Sequence, residues 1–199
     1  MSKSTQQRIL DAACQIYVEH GIDALSMRKL GQAIGLSATA IYRHYDDKDA
    51  LQVAMIDEGF RRFGESMFHS LGAGDSGQRL TGASEGYLDF ALSDPAYYQL
   101  IFVIPQRRKK SDLPKHVAER SRGTFQFLVD RLRDVLPNLS AEQLQDWANT
   151  TWALSHGLVS LYIAGQLEME ETQFRKLWSE SHAALFVGLD QFNPGGSVQ

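Results

Sequence analysis

The chain has 199 residues, 43% of them apolar and 22% charged, and a formal net charge of -4. That is enough apolar material for a real core and excludes a disordered chain, while the acidic balance means that any positive charge for nucleic acid must be local. The single cysteine, Cys14, excludes an internal disulfide and a structural zinc site and suits a reducing cytoplasm.

The first eight residues are polar and lack the apolar stretch of a signal peptide. Ile9, Ala12, Ala13, Ile16 and Tyr17 follow helical spacing, and Gly21 ends that helix. Ser26 caps a short helix with Met27, Leu30 and Ile34 on its inner face. Gly35-Leu36-Ser37 predicts a turn, and Ser37 caps a second short helix from Ala38 to about Tyr45. Asp46-Asp47 opens a long helix from about Lys48 to Ser70, and Gly72-Ala73-Gly74 breaks the chain. Leu80, Ala83, Tyr87 and Phe90 mark the next helix. Asp94-Pro95 reads as a cap followed by proline at the first helical position, in a helix that stops before Pro105.

A polar, basic loop is expected over 106–115. Phe125, Leu128, Val129, Leu132 and Val135 mark a helix ending at Pro137, and Ser140 with Gln143 forms a capping box for a long helix through Trp147, Leu154 and Leu161. A last helix carries Phe174, Leu177, Trp178 and Leu185, and the tail from Asn193 is expected to fray. The most apolar stretches, 97–105 and 152–167, are too short or too interrupted to cross a bilayer. The reading is an all-α protein of about nine helices, cytoplasmic and without a membrane partner. The change from short helices to long ones divides it into 1–46 and 47–199.

Two short helices joined by a tight glycine-containing turn form a helix-turn-helix unit, whose second helix fits the major groove. From Ser26 to Tyr45 there are Arg28, Lys29 and Arg43 and no Asp or Glu, a local +3 in an acidic chain. Ser37, Ala38 and Thr39 start the second helix, where base edges are touched, and are small enough for close approach. Tyr42, Arg43 and His44 add donors. Lys48 opens the next helix, where amides and dipole already favour phosphate. Taken singly, Thr39 also fits an ordinary helix surface and Tyr42 a core position.

Residues 5–54 resemble the DNA-binding domain of the TetR family of transcriptional regulators. The resemblance is carried by Gly21, Ser26, Ala33-Ile34, Gly35-Leu36-Ser37, Tyr42-Arg43-His44-Tyr45, Lys48-Asp49 and Leu51. It implies that Ser26, Ser37, Tyr42, His44 and Lys48 hold phosphates while Arg28, Ala38, Thr39 and Arg43 face bases. It also implies a helical C-terminal domain that dimerises through its last two helices and encloses a ligand pocket. Trp152, His156 and Gly157 resemble a Trp-x-x-x-His-Gly signature of one family subset.

Gly157 costs about 1 kcal/mol in a helix interior relative to alanine, so it is best tolerated where another backbone or a ligand comes close. Ser181, Ala184 and Gly188 place small residues on one face of the last helix. Both features also fit packing within one chain. Of the many aromatic residues most fit a core and some an apolar cavity. The candidate effector set is Phe63, Met67, Tyr87, Phe102, Phe125, Trp152 and His156, though the histidine fits a satisfied core position better. Arg107, Arg108, Lys109 and Lys110 read as a solvated loop or an anion-recruiting rim.

No phosphate loop, zinc-spaced His/Cys set or nucleophile elbow is present, so no catalytic residue, metal or cofactor is expected. The expected function is that of a homodimeric, sequence-specific regulator of a pseudo-palindromic operator in double-stranded DNA, a repressor released by a small-molecule effector. A helical small-molecule carrier and a ligand-dependent activator are the alternatives. A carrier leaves the acid-free basic segment unexplained.

Overall fold

The computed structural model describes residues 3–71, 74–104 and 112–191. Among them are nine α-helices, one π-helical turn and no strand, the all-α class that the periodicity predicts. Residues 72 and 73 of the expected breaker, the basic run 107–110 and the tail from Asn193 lie outside the described residues.

Local chemistry starts and stops the first helices. The Ser4 hydroxyl accepts the Gln7 amide at 3.2 Å and opens α1 (Thr5–His20). Gly21, at φ 77°, ends it. Ile9, Leu10, Ala13, Cys14 and Tyr17 form its buried stripe. Ser26 accepts the Lys29 amide at 3.2 Å and opens α2 (Met27–Ile34). Gly35, in the left-handed region at φ 72°, ends it, a conformation glycine adopts without steric cost.

Ser37 accepts the Ala40 amide at 3.1 Å and opens α3, which is only Ala38–Tyr42. The expected extension to Tyr45 is corrected: the His44 and Tyr45 amides both bond to the Ile41 carbonyl, at 2.9 and 3.1 Å, and tighten the chain into a turn. This turn buries Tyr45. Asp47 then accepts the Ala50 amide at 2.7 Å and opens α4 (Lys48–His69).

Then follow α5 (Ser76–Ser93) and a short α6 (Pro95–Tyr98) running into a π-helical turn, Gln99–Val103. The sequence predicts an uninterrupted helix here. Instead the π turn seats Ile101 over Gly59 of α4, where an added Cβ would stand 2.7 Å from its Cγ2. Next come α7 (Lys115–Val135), starting ten residues before its first expected apolar marker, α8 (Ala141–Ile163) and α9 (Glu171–Gln191). The capping box at Ser140 and Gln143 is present.

The chain divides into two packed units, with α4, α5 and α7 each contributing to both. The first takes in Met1–Glu65 and Phe90–Arg122. In it α1 packs on α2, α2 on α3, and α1 also on α6 and the π turn. The second takes in Ser66–Asp89 and Gly123–Gln199. Its core joins Leu80, Val129, Leu132, Leu136, Leu139, Leu144 and Ala148. In the same unit α8 and α9 pack together, with Phe174 and Trp178 fully buried. Burial of an aromatic side chain of this size stabilises by roughly 2–3 kcal/mol.

Candidate functional site

The first unit presents a short basic element. Ser26, Arg28 and Lys29 are exposed around the start of α2, and Ser37 and Thr39 at the start of α3. Tyr42 is 51% exposed, so it is not the core aromatic its type allows. Arg43 and His44 are exposed in the turn after α3. Ala38 and Ala40 are half-buried, which leaves Thr39 as the outward side chain of the first turn. Lys48 is half-buried at the start of α4, beside the Asp47 cap. The Ser26 and Ser37 hydroxyls each accept one backbone amide while their side chains stay on the surface. Ser26, Arg28, Ser37, Thr39, Tyr42, Arg43 and His44 are therefore all open to solvent in one unit, with no carboxylate between residues 26 and 45.

Two residues that sequence reasoning missed hold this element in shape. At Gly31 an added Cβ would stand 2.5 Å from the Leu36 carbonyl oxygen and 3.3 Å from the Ser37 backbone. The Leu36 amide bonds the Gly31 carbonyl at 2.8 Å. Arg8 of α1 donates to the Ile34 carbonyl at 2.8 Å, a cation at the C-terminus of α2, where the helix dipole favours it. A glycine inside a helical pattern was the only available signal for the first; nothing in the sequence marks the second.

The thiol is not placed for chemistry. Cys14 is fully buried, and burial, reinforced by the nearby Asp11 charge, pushes it up to about 12. Among the described residues no group of three or more His, Cys, Asp or Glu side chains is placed to hold a metal ion. No helix among them is long and apolar enough to cross a membrane.

The candidate effector residues are divided between the two units. Phe63 and Phe102 belong to the first unit, edge to face at 5.1 Å, with Phe90 and Phe60 against them. Tyr87, Phe125, Trp152 and His156 belong to the second and form a chain. The Tyr87 hydroxyl and His156 Nδ1 share a hydrogen bond of 2.8 Å. The His156 ring lies 5.0 Å from Trp152, which lies 5.2 Å from Phe125. Tyr87 also stacks on Trp178 at 5.6 Å. Met67 is buried at the end of α4.

In the same unit α8 and α9 carry apolar and small residues outward. Ala153, Gly157 and Leu161 are exposed on α8, and Ala183, Ala184 and Val187 on α9. Leu161 is 46% and Val187 64% exposed. A Cβ added at Gly157 or Gly188 would meet nothing within 4 Å, so packing within the chain does not require glycine at either position. Of the small residues expected on the α9 face, Ala184 is exposed and Ser181 and Gly188 are half-buried.

Comparison with known proteins matches residues 9–55 to the family model of bacterial regulatory proteins of the tetR family. Residues 80–185 match the tetracyclin repressor-like C-terminal domain. The chain belongs to the TetR family. The HTH-type transcriptional repressor Rv1474c of Mycobacterium tuberculosis is 31% identical over 128 residues, 64% of each chain. The HTH-type transcriptional activator FasR of Mycolicibacterium smegmatis is 29% identical over 96 residues, 48% of this TetR-family chain and 44% of that one. The match thus spans less than two thirds of either relative's length. A solved structure of a protein with unknown function from Rhodococcus sp. RHA1 shares the fold, with a TM-score of 0.73 at 20% identity over 94% of this chain and 96% of that one.

Proposed function

We propose that the chain is a sequence-specific DNA-binding transcriptional repressor of the cytoplasm, working as a homodimer on a pseudo-palindromic operator and released by a small molecule. The observation that carries this reading is the exposed, carboxylate-free surface of α2, α3 and the following turn. Residues 1–46 serve as the reading domain. Ser26, Ser37, Tyr42, His44 and Lys48 hold phosphates, while Arg28, Ala38, Thr39 and Arg43 face base edges. A repressor is favoured by the kinship with Rv1474c. A ligand-dependent activator is the second reading, favoured by the kinship with FasR.

Residues 47–199 serve dimerisation and effector binding. The outward small and apolar residues of α8 and α9 support a two-copy interface. The effector is an apolar or aromatic-compatible molecule held by Tyr87, Phe125, Trp152 and His156, which assigns Trp152, His156 and Gly157 to the Trp-x-x-x-His-Gly pattern. Aromatic walls with one convergent polar pair are how small-molecule sites are usually built. Helix α4 has 22 residues, a span of about 33 Å at 1.5 Å per residue. A tilt imposed at its far end displaces Lys48 at its start.

The test is selection of duplexes from a random pool by the full chain. Enriched sequences carrying inverted half-sites about 34 Å apart, with affinity falling steeply with salt, are expected. Enrichment of no sequence, or retention on DNA indifferent to salt, would overturn the reading.

A further inference from the structure

A polar cluster of the first unit joins α1, α4 and the start of α6. Arg62 of α4 has a side chain only 14% exposed. Its three nitrogens go to three carboxylates. Nε donates to Glu58 of its own helix at 2.8 Å, Nη2 to Asp11 of α1 at 2.6 Å, and Nη1 to Asp94 at the start of α6 at 2.8 Å. The Tyr97 ring of α6 lies 4.3 Å from the guanidinium carbon, and its hydroxyl donates to Asp11 at 3.1 Å. Asp94 stands at the cap position of α6, yet its side chain accepts no helix amide. The expected cap is therefore corrected: the carboxylate goes to Arg62.

A guanidinium is a rigid planar fork, so three bonds in its plane fix the directions of three groups relative to one another. Here the groups sit on α1, α4 and α6. Helix α1 carries α2, and α2 carries α3, so the attitude of the DNA-facing helix is referred to that plane. Burial alone would raise Asp11 and Glu58. The hydrogen bonds from Lys3 and Arg62 hold Asp11 below its ordinary value, and those from Arg61 and Arg62 bring Glu58 down to about 2. Asp11 and Glu58 are thus charged throughout the neutral range.

We infer that Arg62 is a positioning residue for DNA binding, locking α1 and α6 onto α4 so that α3 is held in one orientation. The inference rests on the DNA-binding reading above. A looser joint leaves every phosphate and base contact available but makes binding bear the cost of ordering them. Arg62→Met in the full chain should weaken binding to a duplex enriched by the native chain at least about tenfold with an unchanged salt slope, because no phosphate contact is lost.

Asp94→Asn should weaken binding about threefold in the native background and add nothing in the Arg62→Met background, since the two act through one bond. Thermal melting of each variant is followed alongside. Asp94→Asn leaves Arg62 two carboxylates, so it keeps the test decisive if Arg62→Met does not fold. Melting that falls while affinity stays constant would overturn the inference, as would a salt slope lower by one or additive losses in the double variant. A native chain that enriches no duplex overturns the DNA-binding reading as well; native binding with unchanged Asp94→Asn affinity overturns the role of Arg62 alone.

Discussion

Arg43 and Lys48 carry the same charge in different settings. Arg43 is exposed just past the end of α3, while Lys48 is half-buried at the first turn of α4. Lys48→Ala should weaken binding equally on all sequences and lower the salt slope by about one per site, whereas Arg43→Ala should relax preference at one base pair by about 1–3 kcal/mol. Anisotropy titrations on operator variants separate the two; equal, sequence-independent losses would refute the division. His182 is a second single-residue case. It is buried with Nδ1 2.9 Å from the Trp178 carbonyl and Nε2 2.9 Å from the Ser155 hydroxyl, which also has the Thr151 carbonyl within reach. Burial lowers its pKa, partly opposed by the Trp178 hydrogen bond. The folded chain therefore binds fewer protons than the unfolded one. The stability this contributes is present above the ordinary value of 6.5 and is lost as pH falls below it towards the lowered value. Urea midpoints at pH 7.5 and 5.5 should differ more for the native chain than for His182→Gln. The Ser155 partner of His182 was not legible in the sequence, because it lies on another helix, 27 residues away.

At the scale of elements, the legible features were those written in neighbouring residues. Ser26, Ser37 and the Ser140–Gln143 pair are cap signals spanning three positions, and all three helices begin where those signals place them. The length of α3 was not legible, because the turn that shortens it buries Tyr45 in a core built by distant residues. The π turn over Gly59 and the diversion of Asp94 to Arg62 are long-range in the same way. The α2–α3 turn offers an element-scale prediction. Gly31→Ala puts a methyl 2.5 Å from a backbone oxygen that cannot rotate away. It should cost about 1–3 kcal/mol of stability and weaken DNA binding by spreading α2 from α3. Calorimetry and titration of one preparation would check it; a melting temperature equal to the native one would contradict the packing argument.

For the whole molecule, the proposed assembly rests on the outward residues of α8 and α9. Leu161→Asp combined with Val187→Asp places two carboxylates among the exposed small residues Ala153, Gly157, Ala183 and Ala184. Buried against a second copy they would be uncompensated charges, which cost several kcal/mol. Light scattering should report a monomer, and binding to the full palindrome should fall to that of a half-site. A dimer that survives both changes would move the interface elsewhere. The proposed effector control is likewise a property of the whole. A hundredfold preference of the effector for the DNA-incompetent state is about 2.7 kcal/mol of coupling, and operator DNA must weaken effector binding by the same factor. Calorimetry with and without duplex measures it, and equal affinities would leave the chain without effector release. The candidate effector residues show the limit of a linear reading. Helical spacing marks Phe63 and Phe102 as apolar just as it marks Trp152, yet the first two pack in one unit and the last in the other.

Cys14 gives the molecule a built-in clock. It is the only thiol in the sequence, it is fully buried, and its titration is pushed up by burial and the Asp11 charge, with Arg62 and Asp94 also acting on it. A thiol reagent can therefore label the native chain only during moments when α1 lifts away from its neighbours. If that opening costs about 5 kcal/mol, labelling runs roughly several-thousandfold slower than in the unfolded chain. The labelling rate reports the population of this open form, with no DNA and no effector needed. Freeing α1 from Arg62 should quicken it, and a bound operator should slow it.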